Sequence, residues 1–360
     1  IMIIRRIIPL TILFAFAAKI SFAQISLASA MNYAKGKWVD SVYSSLNIDE
    51  RIGQLFMVAA YSGGPKANQA AIEQLINKHQ IGGLIFMQGG PVRQANLTNK
   101  YQSTAQVPLL IAMDAEWGLG MRLDSVMNLP RQMMLGATRD TALMYQVGMA
   151  IAYQCRRLGV HIDFAPDVDI NNNANNPVIN SRSFGENKYL VTKMGSAYMK
   201  GLQENGVMAC LKHFPGHGSS LADSHLGFVD ITKTWDKKEL EPYKYFIKNN
   251  KADMIMTAHV FNENLDKNYP ATLSYNINTK LLRQELGFKG VLITDDLQMS
   301  AISKHYDLKQ TLTLAINSGV NLLLFANQLA KPITLKEIVD TVYNQILSEQ
   351  ITLDKIIESN

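Results

Sequence analysis

The sequence predicts an α/β protein, a (β/α)8 TIM barrel folded as a single domain. Eight short apolar runs alternate with longer segments of helical periodicity along the 360 residues. Parallel strands need a long crossover connection, which a helix usually supplies, so this alternation indicates βα units. Eight such units are the number that closes a TIM barrel.

The predicted elements follow one another in regular order. The apolar runs predicted as strands lie at residues 54–60, 83–87, 108–114, 161–165, 207–213, 254–258, 290–295 and 320–325. Helical candidates between them lie at residues 66–78, 141–157, 189–205, 237–248 and 308–318. A doubly wound open sheet is the alternative. It would need a glycine-rich phosphate-binding turn after the first strand, and YSGGPKA is a weak match for that turn.

The first 23 residues are typical of a secretory signal peptide. Arg5 and Arg6 precede an apolar run, and the small residues Ser21 and Ala23 stand before the expected cleavage site. An uncleaved membrane anchor is the alternative, although the run is short for a span and a lysine interrupts it. We therefore predict export to the periplasm or the extracellular space.

The rest of the chain divides into a short lead-in and the barrel. Residues 24–48 are predicted to form the lead-in, with a helix within residues 28–46, and residues 49–360 to form the barrel. Cys155 and Cys210 each lie in an apolar stretch and are predicted to be buried thiols, although an exported protein would permit a disulfide.

Net charge argues against two classes of partner. The formal net charge is +5, and it falls to +2 without the signal peptide, which carries three basic residues and no acid. A charge this close to zero argues against nucleic acid or an anionic membrane as the partner. We also expect no stable membrane insertion after cleavage.

Polar side chains follow several predicted strands, at the ends where TIM barrels carry their active sites. They are Asp114 and Glu116 after the third strand, Asp167 and Asp169 after the fourth, Lys212 and His213 at the fifth, His259 after the sixth, and Asp295 and Asp296 after the seventh. We expect these groups to converge on one rim of the barrel.

The paired aspartates after the seventh strand differ in the direction of their side chains. Strand alternation puts Asp295 on the side of Val291 and Ile293, and Asp296 on the opposite side with Leu292. Only one of the two can therefore point into the barrel mouth. A carboxylate there could be a nucleophile, a general base or a metal ligand, and we interpret Asp296 as a cap of the following helix.

The segment after the fifth strand, KHFPGHGSSLADSHLGF at residues 212–228, is polar and rich in glycine. In an extended segment Asp223 and His225 share one side while Ser224 faces away. A carboxylate bonded to one ring nitrogen fixes the imidazole tautomer and leaves the other nitrogen free for proton transfer. The glycines would let this loop move over a ligand, although an isolated Asp-x-His pair is usually structural.

Four histidines on the expected rim raise the question of a metal. They are His213, His217, His225 and His259. Metal-dependent hydrolases on barrels place a His-x-His pair at the end of the first strand, where this chain has MVAAYSGG. The run DVDINNN from Asp167 departs from a calcium loop at its glycine and glutamate positions. We expect no catalytic metal and no cofactor, and we expect His217 to have a role in loop structure.

Four segments resemble the signature segments of glycoside hydrolase family 3. They are PLLIAMDAEWGLGMRL, NPVINSRSFGEN, KHFPGHGSSLADSHLGF and VLITDDLQMSAI. Their order and spacing are similar to those of the β-N-acetylglucosaminidase branch of that family, and the resemblance covers residues 49–348. It implies a TIM barrel that binds and cleaves a sugar.

The resemblance implies a role for each matching residue. Asp295 matches the catalytic nucleophile, His225 the acid/base on a mobile loop, and Asp223 the partner of that histidine. Five further residues match the contacts to the terminal sugar, namely Asp114, Arg122, Arg182, Lys212 and His213. The implied reaction is retaining hydrolysis of terminal, non-reducing β-linked N-acetylglucosamine through a covalent glycosyl-enzyme intermediate.

One segment departs from the family pattern. Where the family more often has a glutamine–glutamate pair, two glycines and an arginine, this chain has Ala115, Trp117 and Leu119, and the intervening arginine is absent. Asp114 and Arg122 are kept, so the resemblance still implies sugar binding. The preference for the leaving group stays open.

Three other functions remain as alternatives. A histidine acid/base would not repel phosphate, so the same site could serve a phosphorylase. A β-glucosidase usually lacks this loop, and a non-catalytic sugar-binding barrel would not need the three catalytic candidates. The expected partner is a small oligosaccharide, with muropeptides ahead of chitin oligosaccharides. Relatives often continue into a further domain, so one could follow the present C-terminus.

Overall fold

The computed structural model describes residues 37–326 and 334–359. Eight strands are present where eight were predicted. They are β1 (Phe56–Ala60), β2 (Gly83–Phe86), β3 (Leu110–Met113), β4 (Ile162–Asp163), β5 (Met208–Phe214), β6 (Met254–Thr257), β7 (Val291–Ile293) and β8 (Leu323–Phe325).

The strands form a parallel barrel. Each strand from β1 to β6 pairs with the next strand in sequence, and β8 pairs with β1. A bridge between Ile293 and Leu322 joins the β7 and β8 ends. The prediction of a (β/α)8 barrel is therefore confirmed, and the open-sheet alternative is wrong.

Helices follow the strands and cover the outside of the barrel. The described α-helices are α1 (Lys37–Ser45), α2 (Ile48–Gly53), α3 (Gln69–His79), α4 (Pro91–Thr104), α5 (Gln132–Thr138), α6 (Thr141–Arg157), α7 (Lys188–Gln203), α8 (Glu241–Lys248), α9 (Ser300–Ser303), α10 (Leu308–Asn317), α11 (Leu335–Leu347) and α12 (Leu353–Ser359). Short 3-10 turns lie at Leu119–Met121, Asn180–Arg182, Lys237–Leu240 and Ala271–Leu273, and a π-helical stretch lies at Asn276–Glu285.

All five helical candidates contain helix, with shifted ends at some of them. The candidate at residues 66–78 begins at Gln69 instead, because the Asn68 side chain is bonded to β1. It donates to the carbonyl oxygen of Ala59 at 2.9 Å and accepts from the N–H of Tyr61 at 3.2 Å. The candidate at residues 237–248 starts with a 3-10 turn and continues as α8.

Apolar side chains fill the barrel and the layer around it. Alternate strand residues form the interior cluster, which includes Met57, Ile85, Ala112, Ile162, Phe164, Cys210, Met254, Ile293 and Leu324. The residues between them pack against the helices in a larger cluster. Each fully buried Met, Ile, Leu or Phe side chain among them contributes roughly 1.5–3 kcal/mol to stability. Cys155 and Cys210 are buried and free, as predicted.

The N-terminal predictions fall largely on residues that the structure does not describe. The signal peptide at residues 1–23 lies outside the described residues, and of the lead-in only α1 and the turn after it lie within them. Among the described helices, none is both long and apolar enough to cross a bilayer.

Candidate active site

A cavity of about 330 Å³ opens at the C-terminal ends of the strands. Apolar side chains from inside the barrel, including Ile85, Phe164, Met256 and Leu324, line it. Its walls bring together all eight residues that the sequence placed in the site, which are Asp114, Arg122, Arg182, Lys212, His213, Asp223, His225 and Asp295. The cavity therefore combines an apolar base with a charged wall, as ligand sites often do.

Neighbouring residues of β5 both reach this cavity. Strict alternation would point Lys212 and His213 to opposite sides. The pairing of β5 with β6, however, changes register between Leu211 and Phe214. Such an irregularity redirects side chains, and here both residues line the cavity.

Buried ion pairs form one wall. The Nζ atom of Lys212 lies 3.1 Å from Oδ1 of Asp114 and 2.7 Å from Oε1 of Glu116. Arg122 donates to the second oxygen of Asp114. Arg182 donates to both oxygens of Glu116, at distances from 2.8 to 3.2 Å. Since the Lys212 and Glu116 side chains are 2% and 0% exposed, these charges are neutralised by one another and not by water.

This wall stays ionised at neutral pH. Burial alone would raise the pKa of Glu116, but Arg182 and Lys212 lower it to about 2. Burial also opposes ionisation of Asp114, and there Lys212 and Arg122 hold the pKa well below its ordinary value. The wall therefore presents fixed donors and acceptors, which suits the hydroxyl groups of a sugar.

A carboxylate from the loop after β4 orients His213. Oδ2 of Asp169 lies 2.7 Å from Nδ1 of the ring, and Nη2 of Arg182 lies 3.2 Å from Nε2. A guanidinium can only donate, so Nε2 accepts and Nδ1 carries the proton. Burial and the Asp169 charge raise the pKa of neighbouring Asp167 well above its ordinary value. Of the two neighbouring carboxyls, Asp167 is therefore protonated more readily than Asp169.

Asp295 lines the cavity, on the side that strand alternation predicts. Asp296 lines it as well, so the prediction that only one of the two aspartates reaches the barrel mouth is wrong. Burial favours the neutral form of Asp295, but nearby His259, His213 and His225 lower the pKa of the carboxyl. An ionised carboxylate is thus fixed at the end of β7, where it could attack an electrophilic carbon.

Asp296 has a different role from the predicted one. Its Oδ1 accepts from the backbone N–H groups of Gln298 and Ala326, both at 3.0 Å, and so ties the end of β7 to the end of β8. The helix α9 begins later, at Ser300, after a turn. The prediction that Asp296 caps that helix is wrong. The N-cap position of α9 is Met299, and the Asp296 carboxylate is bonded to the segments that follow β7 and β8.

Asp223 and His225 form the expected pair, but in a turn and not in an extended segment. Oδ1 of Asp223 accepts from the backbone N–H of His225 at 2.8 Å and lies 2.7 Å from its Nδ1. The N–H of Leu226 donates to the carbonyl oxygen of Asp223, which closes the turn. Nδ1 therefore carries a proton, and Nε2 has no hydrogen-bond partner among the described residues. The imidazole is 47% exposed.

The loop that carries this pair docks on the segment after Asp295. The backbone N–H groups of Ser300 and Ala301 donate to the carbonyl oxygens of His225 and Ser224, each at 3.3 Å. Nζ of Lys304 donates to the carbonyl oxygen of Leu226 at 3.2 Å. The loop from β5 and the helix after β7 are thereby joined, which places the pair and Asp295 on the same cavity.

The four rim histidines do not converge on one point. The ring nitrogens of His217 face two serine hydroxyls, and those of His259 face Thr272 and a carbonyl oxygen. Within the described chain, potential metal ligands gather at Asp167, Asp169 and His213, within 4.8 Å of one another. Nδ1 of His213 is already bonded to Asp169 there, and a guanidinium nitrogen lies 3.8 Å from Asp167. The expectation of no metal stays a prediction.

Sequence reasoning noted Glu116 and Asp169 at strand ends but gave them no role. The structure makes Glu116 the partner of two cations and Asp169 the partner of His213. A third acid, Asp163 in β4, was missed. It accepts from the N–H of Ala115 at 3.0 Å and from the Tyr198 hydroxyl at 3.1 Å, and so supports the loop that carries the ion pairs. An aspartate inside an apolar run was the available signal.

The segment that departs from the family pattern places an aromatic ring on the cavity. Trp117 lines it and is partly exposed. The Arg131 guanidinium lies 4.5 Å from the ring centroid and donates to the Ser181 hydroxyl at 3.0 Å. A cation stacked on the indole holds the ring in place.

Comparison with known proteins defines the class of this barrel. Residues 47–357 match the protein family described as the glycosyl hydrolase family 3 N-terminal domain. The chain therefore belongs to glycosyl hydrolase family 3. The resemblance found in the four sequence segments is confirmed.

Two relatives show how much of the family architecture the chain covers. Beta-hexosaminidase A of Pseudoalteromonas piscicida is 39% identical over 280 residues, which are 70% of this chain and 47% of that protein. The beta-N-acetylglucosaminidase/beta-glucosidase of Cellulomonas fimi is 28% identical over 305 residues, 81% of this chain and 53% of that protein. The chain thus spans about half the length of these two relatives.

A solved structure agrees with the same assignment. The family 3 β-N-acetylglucosaminidase from Paenibacillus sp. str. FPU-7 superposes with a TM-score of 0.80 at 35% identity. The match covers 87% of this chain and 61% of that one.

Proposed function

We propose that the chain is a retaining β-N-acetylglucosaminidase that removes terminal, non-reducing β-linked N-acetylglucosamine. The observation that carries this proposal is the meeting, on one cavity, of the ionised Asp295 and an imidazole whose partner Asp223 leaves Nε2 unbonded. The relatives named β-hexosaminidase and β-N-acetylglucosaminidase support it.

In the proposed first step, the charged wall holds the hydroxyl groups of the terminal sugar. A carboxylate oxygen of Asp295 attacks the anomeric carbon and forms a glycosyl ester as the bond to the glycosidic oxygen breaks. The Nε2–H group of protonated His225 gives its proton to that oxygen, so the leaving sugar departs as a neutral alcohol. Asp223 stabilises the imidazolium through Nδ1.

In the second step, the roles on the imidazole reverse. Neutral His225 accepts a proton from water as the water oxygen attacks the anomeric carbon and the bond to Asp295 breaks. Two displacements at one carbon retain the β configuration. Histidine suits both steps because it gains and loses a proton near neutral pH.

A panel of substrates tests the proposed activity. We expect release of 4-nitrophenol from the β-N-acetylglucosaminide with a kcat/KM at least about tenfold above that for the β-glucoside, because the apolar base of the cavity can bury an acetamido methyl group. An equal or faster rate on the glucoside would contradict the choice of substrate. Wild-type rates on a disaccharide muropeptide and on chitobiose then rank the two natural substrate classes.

A phosphorylase is the alternative use of the same site. An imidazole does not repel phosphate as a carboxylate acid/base would. With the wild-type chain in phosphate buffer, we expect free N-acetylglucosamine as the main product. Sugar 1-phosphate as the main product, seen by mass spectrometry, would overturn hydrolysis while leaving the two-step scheme intact.

We further propose that the chain is exported and acts on peptidoglycan fragments before chitin oligosaccharides. The basic start, apolar run and small residues within residues 1–23 support export. N-terminal sequencing of protein recovered outside the cytoplasm should then begin at Gln24. Recovery only from the cytoplasm, with residues 1–23 intact, would contradict this localisation. Any further domain after residue 360 would also lie outside the cytoplasm.

A further inference from the structure

His217 is a buried residue of the acid/base loop that the proposed mechanism does not use. Its side chain faces two serines of the same loop, with Nδ1 2.7 Å from the Ser220 hydroxyl and Nε2 3.0 Å from the Ser224 hydroxyl. The residue is 2% exposed. Burial lowers its pKa to about 4, so the ring is neutral, with one nitrogen that donates and one that accepts.

The backbone around His217 is fixed to the barrel. Its N–H donates to Oδ1 of Asp169 at 2.8 Å, and its carbonyl oxygen accepts from the Asn176 side chain at 2.8 Å. The next residue, Gly218, donates to a carboxylate oxygen of Glu239 at 3.1 Å. A Cβ atom at Gly218 would lie 1.8 Å from the carbonyl oxygen of Ile170, so this close approach requires glycine. The ring therefore extends from a rigid base.

These contacts connect the sugar-binding wall with the acid/base pair. Asp169 bonds the ring of His213 through Oδ2 and the backbone of His217 through Oδ1. His217 in turn bonds Ser224, which lies between Asp223 and His225 in the sequence. A continuous chain of hydrogen bonds thus runs from a predicted sugar contact to the turn that carries the proton donor.

We propose that His217 is a positioning residue, which holds the turn at Ser224 so that His225 faces the glycosidic oxygen. The proposal rests on the proposed glycosidase function and adds a residue to it. His217 and Ser224 both line the cavity, but the two ring nitrogens of His217 are occupied by serine hydroxyls, so His217 does not transfer a proton itself. Its effect reaches the substrate through the placement of His225.

Leaving groups of graded acidity separate this role from a merely structural one. A misplaced acid slows substrates whose leaving group needs a proton, and has little effect on substrates that leave as stable anions. The probe is a series of aryl β-N-acetylglucosaminides, from 4-nitrophenyl to phenyl, together with chitobiose. The variants are Ser224→Ala and His217→Gln, with Leu221→Ala as the control, since that loop side chain is 68% exposed and does not line the cavity.

We expect Ser224→Ala and His217→Gln to lower kcat/KM on chitobiose by about tenfold or more and on the 4-nitrophenyl substrate by less than about threefold. Leu221→Ala should leave the whole series unchanged, and His225→Ala should show the same trend with a larger loss. A uniform loss across the series, or no loss, in the Ser224→Ala variant would overturn the proposal. Ser224→Ala removes one hydroxyl, and thermal unfolding identifies any variant that has lost its fold.

The same measurements separate failure of this inference from failure of the proposed function. If the wild-type chain hydrolyses the series and the Asp295→Ala variant does not, a uniform loss refutes only the role of His217. If the wild-type chain hydrolyses no member of the series, the glycosidase proposal fails, and the inference fails with it.

Discussion

Asp295→Ala is expected to lower kcat on 4-nitrophenyl β-N-acetylglucosaminide by at least about 10⁴-fold, because removal of a nucleophile removes the covalent route. The carboxylate is partly buried, its pKa is lowered by the nearby histidines, and it directly follows the end of β7, which fixes its position. Asp296 is not equivalent, since its Oδ1 is bonded to the backbone N–H groups of Gln298 and Ala326, and burial raises the pKa of its carboxyl to about 6.

Initial rates of 4-nitrophenol release, with single-turnover trapping of the glycosyl-enzyme, check this result. Asp124→Asn is the matched control, because that aspartate pairs with Arg93 on the surface and is 59% exposed. The control should keep wild-type kcat. Turnover of Asp295→Ala within tenfold of the wild-type rate would remove the mechanism proposed above.

Glu116→Gln is expected to lower the free energy of unfolding by about 3–5 kcal/mol at pH 7. The substitution leaves the buried Lys212 and the 17%-exposed Arg182 beside a neutral amide in place of a carboxylate. Loss of one partner of a buried ion pair exposes the other to the full cost of desolvation. We also expect weaker sugar binding, because both cations line the cavity.

The pH dependence of this effect has a definite sign. The folded pKa of Glu116 is about 2, below its value in the unfolded chain, so its stabilisation is present above pH ~4.3 and is lost as the pH falls towards 2. The difference in the free energy of unfolding between wild type and Glu116→Gln should therefore be largest at pH 7 and should decrease between pH ~4.3 and ~2. Urea unfolding at several pH values measures it.

A surface pair supplies the control for this experiment. Glu73 lies 2.6 Å from Lys100, and both side chains are partly exposed. Glu73→Gln should have a much smaller effect than Glu116→Gln, since solvent screens exposed pairs. Equal effects of the two substitutions, or a difference that does not change with pH, would show that Glu116 does not act through buried charge.

The strands could be predicted because barrel strands are buried on both faces and read as continuous apolar runs. Helix α4 was not predicted, since its sequence PVRQANLTNKYQST is mainly polar and its buried residues are Gln94, Thr98 and Tyr101. The π-helical stretch at Asn276–Glu285 was also missed. Periodicity detects an apolar face, and α4 lacks a clear one.

The candidate site was predictable in its members but not in its internal bonds. Strand ends and the family resemblance named the eight residues that the cavity brings together. The partners Glu116 and Arg182 are 66 positions apart, and Asp169 and His213 are 44 apart. Such pairings depend on how the loops after β3, β4 and β5 fold over the barrel, and these loop conformations could not be predicted from a single sequence.

If the proposed mechanism holds, the docking of the loop that carries Asp223 and His225 on α9 and the residue after it would set the fraction of molecules in which the proton donor is in place. The loop is held there by hydrogen bonds from Ser300, Ala301 and Lys304 to backbone carbonyls. Each such bond is worth about 1 kcal/mol, which corresponds to a factor of about five between docked and undocked loops. Under the proposed mechanism, substitutions at Ser300, Ala301 or Lys304 would then change the rate through this fraction, since none of the three lines the cavity.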